Sequence, residues 1–199
     1  MATAVPANYP VYFAASDDNE VANWRPLAHW LMVIPHAIVA NVLSYASNIL
    51  VFVSWFIILF TGKMPDGMAR FITMAMRYNA RTYSFALGLT EQYPPFEFEV
   101  QNEDPGNYAV RLDINPALEG RNRLTVFFRI FMLIPIGLFM IVVFIAAYVV
   151  MIIAWFAVLF TGTYPHGMRN FVIGVFRAGQ RFSGYANLLT DEYPPFSLD

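Results

Sequence analysis

Residues 55–71 read WFIILFTGKMPDGMARF, and residues 155–171 read WFAVLFTGTYPHGMRNF. The two stretches superimpose without a gap at a shift of 100 positions, and the match continues into LTEQYPPF and LTDEYPPF. The shared residues include Gly, Pro, Trp and Tyr, so apolar composition alone does not account for the match. The chain is therefore one unit written twice, with a first repeat at 1–100 and a second repeat at 101–199.

The composition places this duplicated unit in a class. Of its 199 residues, 58% are hydrophobic and 13% are charged, whereas soluble domains are about 25% charged. So few charges could not cover a water-facing surface, and the composition predicts a membrane protein. The high hydrophobic fraction excludes a disordered chain, and the net charge of −2 excludes a nucleic-acid binder with a basic field. Thiolate metal sites are excluded because the chain contains no Cys.

Each repeat contains a long apolar stretch, 27–60 in the first and 124–160 in the second. A hydrocarbon core about 30 Å thick takes about 20 helical residues, so each stretch is too long for one span and barely long enough for two. We favour a membrane-embedded helical hairpin in each repeat, because the turn and YPPF motifs then face the same side in both. The alternative is one long kinked helix per repeat in inverted topology, with kinks at Pro35 and Pro135.

The basic residues give an orientation under the hairpin hypothesis. Eleven of the twelve Lys and Arg residues lie outside the apolar stretches. If both stretches are hairpins, all eleven lie on one face of the membrane, which the positive-inside rule assigns to the cytoplasm. The polar cluster at 41–48 would then lie at a hairpin tip.

The segment after each Gly/Pro turn has polar residues at spacings of three and four, which predicts an amphipathic helix in the membrane interface. Five arginines of these helices are candidates for contact with lipid headgroups: Arg70, Arg77, Arg81, Arg177 and Arg181. The alternative is internal ion pairing with acidic residues at the helix ends, namely Glu91, Asp191 or Glu192. The sequence leaves both open.

Aromatic residues mark expected anchors at the membrane interface. These anchors are Trp55, Trp155, Tyr93, Phe96, Tyr193 and Phe196. Each repeat starts with a strand-like stretch, 9–15 or 108–114, and alternation around Asp-Pro-Gly within 96–114 predicts a small β-hairpin between the repeats. The predicted fold is a mainly α membrane protein of two tandem repeats, each with a short strand, a membrane-embedded hairpin or long kinked helix, a Gly/Pro turn and an amphipathic interfacial helix.

Two histidines are the candidates for cofactor chemistry. His29 and His36 lie seven residues apart and could ligate haem or copper. The second repeat has Arg129 and Ile136 at these positions, however, and Pro35 interrupts the helix between the histidines. We therefore expect no metal and no cofactor, and in the absence of any recognised catalytic motif we expect no enzymatic activity.

The paired WF…TG…PxGM motifs, each followed by LT-x-x-YPPF, resemble the bacterial membrane family catalogued as domain of unknown function 4389, in two tandem copies over nearly the whole chain. The resemblance implies an integral membrane protein of prokaryotic type, in the bacterial inner (cytoplasmic) membrane, and supplies no activity. The first copy departs from the pattern, with Met64 where Tyr164 stands and Glu91-Gln92 where Asp191-Glu192 stand.

These observations predict a non-enzymatic membrane scaffold or accessory subunit. Its expected partners are membrane lipids and other membrane subunits or a second copy of itself, with no nucleic acid. The alternative is a lipid-binding or transport component with a lipid site between the repeats. A redox subunit that uses His29 and His36 ranks below both.

Overall fold

A computed structural model describes residues 9–16, 20–101 and 103–199 of the protein, which is mainly helical. Its elements, in chain order, are β1 Val11–Ala15, α1 Arg25–Met32, α2 Ile34–Thr61, α3 Asp66–Ala86, β2 Val110–Ile114, α4 Arg123–Phe127, α5 Arg129–Thr161 and α6 His166–Ala186. The elements recur in the same order in both repeats, which confirms the duplication.

The predicted helical hairpin is wrong: each apolar stretch forms a short helix, α1 or α4, followed by one continuous long helix, α2 or α5. The polar cluster at 41–48 lies inside α2, because its side chains can form hydrogen bonds within the helix. Asn41 and Ser44 donate to the carbonyls of Ala37 and Ala40 at 2.7 and 2.8 Å. Pro35 lies in the first turn of α2, where proline is tolerated, whereas Pro135 lies inside α5. The hairpins therefore no longer support the inference that the basic residues face the cytoplasm.

Both long helices end at the predicted Gly/Pro turn. Gly62 and Gly162 have φ of 72° and 69°, the left-handed region that glycine adopts without a steric cost. Their N–H groups donate to the carbonyls of Ile58 and Val158 at 2.7 and 2.8 Å, which closes each helix before the chain turns into α3 or α6.

The first repeat is built in layers around α3. On one side, Asn79 of α3 donates to Ser44 of α2 at 3.1 Å. On the other, Arg77 donates to the carbonyl of Leu112 in β2 at 3.2 Å. Two residues in a helix are about 200° apart, so α2 and β2 lie on opposite faces of α3.

The sheet belongs to both repeats. β1 and β2 pair antiparallel, with Phe13 opposite Leu112, so a small two-stranded sheet joins the repeats. The predicted strand partner is wrong: 96–101 forms no strand and instead lies against α3, where Glu97 pairs with Arg81 and Phe98 stacks on Tyr78. β2 therefore pairs with β1 of the other repeat rather than with the segment before it.

The second repeat has the same layers. β1 packs on α6, where Gly184 is required because a Cβ there would lie 2.6 Å from Val11 Cγ2. The face of the sheet that carries Val11, Phe13, Leu112 and Ile114 is buried against α3 and α6, whereas Arg111 on the other face is exposed. We call α2 and α5 the outer layer, α3 and α6 the middle layer, and the sheet with segments 97–101 and 103–107 the polar layer.

Two junctions bring the repeats together. In the first junction α1 packs on α5, and in the second junction α4 packs on α2. The backbone contacts are equivalent: Val21 donates to the carbonyl of Gly162 at 3.0 Å, and Arg121 donates to that of Gly62 at 3.1 Å. The two repeats thus exchange contacts and share one hydrophobic core.

The outer layer leaves much apolar surface uncovered. Among the described residues, α2 and α5 are two helices long and apolar enough to cross a membrane, and 17% of the most apolar 18-residue window of each is buried. Large hydrophobic side chains such as Ile38, Tyr45 and Phe60 of α2 are exposed. This surface is the weak structural support for a membrane environment.

Candidate functional site

Arg77 and Arg81 lie inside the protein, where they share one acidic partner. Asp104 lies 3.2 Å from Arg77 and 2.9 Å from Arg81, and its side chain is fully buried. The N–H groups of Gly106 and Leu112 also donate to this carboxylate, each at 3.0 Å. Burial lowers the pKa of Arg77, and the charge of Asp104 opposes that shift. Contact with lipid headgroups would require both arginines to leave these partners.

The internal-pairing alternative therefore describes Arg77 and Arg81, but with other acids than predicted. Their partners are Asp104 and Glu97, in the segment between the repeats, rather than residues at the helix ends. Asp104 is the aspartate of the Asp-Pro-Gly turn between the repeats. The Asp-Pro-Gly turn was the available signal, because its aspartate accepts backbone N–H groups of the turn.

Arg177 and Arg181, the counterparts of Arg77 and Arg81 in the second repeat, have mostly uncharged surroundings. Arg177 donates to the carbonyls of Leu198 and Phe13, at 3.1 and 3.4 Å. Arg181 is buried with its guanidinium 6.0 Å from the ring centre of Tyr9. Burial, with the nearby charge of Arg177, lowers the pKa of Arg181. Arg70, by contrast, is part-exposed and pairs with Asp66 one turn earlier in α3.

A second charged cluster lies beside the second junction. Asp191 accepts from Arg121 and Arg129, with distances of 2.7 and 2.6 Å, and from the N–H of Asn122 at 3.0 Å. Burial alone would raise the pKa of Asp191, but the hydrogen bonds from Arg121 and Asn122 lower it overall. Asp191 was a predicted partner for the arginines of α3 and α6, but it pairs with Arg121 and Arg129 instead.

The two tryptophan anchors also connect the repeats. Trp55 Nε1 donates to the carbonyl of Val126 and Trp155 Nε1 to that of Pro26, each at 3.0 Å. The four YPPF anchors lie near the outer layer. Tyr93 donates to the carbonyl of Met32, Phe96 stacks on His36, and Phe196 packs on Phe139, with Tyr193 beside it.

A groove of about 510 Å³ opens at the first junction, between α1, the end of α3 and the second half of α5. Apolar side chains form most of its lining, including Leu27, Trp30, Ile152 and Trp155. His29 and Tyr164 also line it, and each is only 3% exposed. The groove lies at the interface between the two repeats.

The equivalent positions at the second junction carry different side chains. Phe127 stands where Leu27 stands and stacks on Trp55, with ring centres 6.2 Å apart. Leu188, which is buried, stands where Gly88 stands. The smaller Leu27 and Gly88 leave Trp155 37% exposed at the groove. The Met64 and Tyr164 difference in the sequence was a signal of this asymmetry.

His29 and Tyr164 are the polar groups of the groove. His29 Nε2 and the Tyr164 hydroxyl are buried, with no hydrogen-bond partner among the described residues. Burial, with the nearby charge of Arg25, lowers the pKa of His29 to about 4. Burial raises the pKa of Tyr164 to about 12. Both groups are therefore uncharged at neutral pH.

The two histidines have separate surroundings. His36 Nδ1 lies 2.7 Å from the Tyr78 hydroxyl, and its ring stacks on Phe96 with centres 4.0 Å apart. His29 instead packs on Phe85 and lines the groove. No group of three or more His, Cys, Asp or Glu side chains in the described part of the chain could hold a metal ion.

Comparison with known proteins gives a family. The sequence model of the family described as Domain of unknown function (DUF4389) matches the chain twice, over residues 24–97 and over residues 123–197. Together the matches cover well over half of the chain and agree with the tandem copies that the motifs predict. No curated protein and no solved structure matches the chain.

Proposed function

The chain belongs to the family described as domain of unknown function 4389, as two tandem copies, and on this premise we propose that it is an integral membrane scaffold or accessory subunit without enzymatic activity. It lies in the bacterial inner (cytoplasmic) membrane. Its outer layer inserts into one leaflet, and its polar layer faces the cytoplasm.

The exposed face of the outer layer is the observation that carries this proposal. Along α2, exposed apolar residues recur at Ile38, Tyr45, Phe52 and Phe60, while the opposite stripe is buried on α3. A 28-residue helix is about 42 Å long, so this face is far larger than the scattered apolar residues of a soluble surface. A bilayer supplies the apolar environment that this face lacks.

The layers favour insertion of α2 and α5 along the membrane plane rather than across it. Ser44 near the middle of α2 contacts Asn79, and Arg77, two residues away, contacts Leu112 and Asp104. The polar layer, with exposed Arg111, is therefore level with the middle of α2. If α2 crossed the bilayer, this charge would lie at the depth of the hydrocarbon core, at a cost of about 3 kcal/mol.

In-plane insertion keeps all polar segments on one side of the membrane, as the hairpin hypothesis would have done for the basic residues. A helix that lies in the membrane plane inserts its apolar face about 5–10 Å below the headgroup boundary. Trp55, Trp155 and the YPPF aromatics then lie where such residues anchor proteins at the interface. The aromatic residues of the outer layer are the expected contacts with other membrane subunits or a second copy.

A specific observation favours a second candidate, a lipid-binding component. The groove at the first junction lies between the repeats, where the lipid site was predicted, and apolar side chains form most of its lining. Such grooves with a few placed polar groups are typical of binding sites for small apolar ligands.

Extraction and cysteine labelling test the first proposal. Because the protein is held by apolar contacts, we expect it to stay in the membrane pellet after alkaline carbonate treatment and to leave it in detergent. Lys63→Cys and Thr163→Cys, both at exposed positions of the turns, should react with an impermeant maleimide only after the cells are opened.

The control and the contrary outcomes are equally defined. Tyr45→Cys, on the outer layer, should stay unreactive in both conditions because the maleimide reaction requires water. Release by carbonate would overturn the membrane assignment. Labelling of one turn from outside the cell and of the other from inside would instead show that α2 and α5 cross the bilayer.

A further inference from the structure

We propose that the groove at the first junction binds one uncharged amphiphile, with its apolar tail along α5 and its hydrogen-bonding head group at His29 and Tyr164. The proposed ligand class is a neutral single-chain lipid whose head group carries hydroxyl or carbonyl oxygens. The inference deepens the lipid-binding candidate, and it rests on the proposed insertion of the outer layer.

The size and lining of the groove fit such a ligand. A volume of about 510 Å³ is within the range of about 300–1,000 Å³ that small-molecule sites have. Leu27, Trp30, Met151 and Ile152 supply apolar contact for a tail. The groove therefore combines an apolar surface for a tail with two polar side chains, His29 and Tyr164.

Two buried polar atoms supply the contacts for a head group. His29 Nε2 and the Tyr164 hydroxyl have no hydrogen-bond partner among the described residues, although both side chains line the groove. A buried polar group without a partner costs about 1–3 kcal/mol, so a ligand that bonds to it is favoured. Neutral imidazole and phenol can each donate or accept a hydrogen bond.

The charges around the groove select an uncharged ligand. Of the described residues that line it, none is Asp, Glu, Lys or Arg. The charge of Arg25, which acts on His29, is already paired: Arg25 lies 3.8 Å from Glu91 and donates to its backbone carbonyl at 2.9 Å. Arg169, whose charge acts on Tyr164, donates to two backbone carbonyls. A phosphate or carboxylate in the groove would have to draw one of these guanidinium groups from its present partners, and it would lose its hydration.

The ligand can enter from the hydrocarbon. Leu27, Trp30 and Tyr148 are exposed at the rim, and Tyr148 and Ile152 lie on the exposed face of α5. That face belongs to the outer layer, which the proposed function places in the leaflet. A lipid tail therefore moves from the bilayer into the groove without crossing water.

Titration of the purified, detergent-solubilised protein with three probes tests the proposal, with native mass spectrometry as the readout. We expect 1-monooleoylglycerol to bind saturably at one molecule per chain. Oleate and phosphatidylglycerol should bind at least about tenfold more weakly, since the groove has no cation for their charge. Equal binding of all three, or no saturable binding of the neutral probe, would overturn the proposal.

Two variants connect the binding to this groove. Leu27→Phe introduces the side chain that covers the tryptophan at the second junction, and it should weaken monooleoylglycerol binding by about tenfold or more. Leu124→Phe is the matched control, because it makes the same change at an exposed position outside the groove. If both variants bind like the parent protein, the ligand lies elsewhere.

A third variant tests the polar contact. Tyr164→Phe should weaken binding by about three- to tenfold, the value of one hydrogen bond, whereas Tyr45→Phe on exposed α2 should leave it unchanged. Carbonate extraction keeps the two proposals separate. Retention in the membrane without monooleoylglycerol binding refutes the groove ligand alone, whereas release into the supernatant refutes the proposed function.

Discussion

The two junctions between the repeats have the same backbone contacts, but different side chains pack in them. At each junction a tryptophan of one repeat donates to a carbonyl of the other, at 3.0 Å. At the second junction Phe127 stacks on Trp55, and Arg129 lies over Tyr185 and pairs with Asp191. At the first junction the equivalent residues are Leu27 and His29, and a groove is present. The backbone contacts of the two junctions are therefore equivalent, and their different side chains leave a groove at the first junction.

The buried arginines differ between the repeats in the same manner. Arg77 and its counterpart Arg177 both donate to a strand carbonyl, of Leu112 and of Phe13. Arg77 has a buried carboxylate beside it, Asp104, whereas Arg177 also donates to the carbonyl of Leu198. The first repeat thus depends on an ion pair at a place where the second depends on neutral acceptors.

The largest expected effect comes from removal of that carboxylate. Asp104→Ala leaves Arg77 and Arg81 buried without their shared acid, and it should lower the free energy of unfolding by about 3–5 kcal/mol. Denaturant titration in detergent measures the loss.

Glu99→Ala is the matched control, because it removes an exposed acid from the same segment. Its effect should stay within about 0.5 kcal/mol. Similar losses for the two variants would show that the buried ion pair does not stabilise the first repeat.

The next effect is a pH dependence that belongs to the first junction. The folded pKa of His29 is about 4, below its ordinary value of 6.5, so the unfolded chain takes up the proton first as the pH falls. The stability is complete above pH 6.5 and decreases between pH 6.5 and 4, by up to about 3 kcal/mol. His29→Gln should remove this part of the slope, and an unchanged slope would contradict the assignment.

The tryptophans should differ by a smaller amount. Trp55→Phe and Trp155→Phe each remove one hydrogen bond, worth about 1 kcal/mol. Trp55 also stacks on Phe127, so Trp55→Phe should lower the free energy of unfolding by about 2 kcal/mol. Trp155→Phe, at the groove, should lower it by about 1 kcal/mol. Equal losses would mean that the two junctions are equally well packed.

The smallest effect on stability is expected when position 27 or 127 receives the side chain of its counterpart in the other repeat. Leu27→Phe should raise the free energy of unfolding of the ligand-free protein by about 0.5 kcal/mol, the lower end of the value for an aromatic pair. Phe127→Leu should lower it by about 1 kcal/mol, since it removes the ring that stacks on Trp55. Thermal unfolding in one detergent compares both variants, and a loss for Leu27→Phe would show that the ring does not fit.

The sequence predicts the features that are local or repeated. The repeat, the turns at Gly62 and Gly162 and the helices after them follow from motifs and period. The continuity of α2 does not follow, because Asn41 and Ser44 read as a polar tip until their bonds to Ala37 and Ala40 are known.

Long-range features of the site escape the sequence for a physical reason. Asp104 meets Arg81 across 23 residues, through a fold that no local pattern encodes. The groove depends on Leu27 and Gly88 lying near α5, which is known only once the helices are packed. The positions at which the two repeats differ are the signal that remains in the sequence, and here such positions line the groove.

Spin-label depth measurements along α2 test most directly whether the outer layer lies along one leaflet. Labels at Ile38→Cys, Tyr45→Cys and Phe60→Cys occupy the exposed face from one end of the helix to the other. In lipid nanodiscs, in-plane insertion predicts similar, shallow depths at all three positions and a water-exposed label at Arg111→Cys. A deep minimum at position 45 between two shallow ends would contradict the account, because it would show that α2 crosses the bilayer.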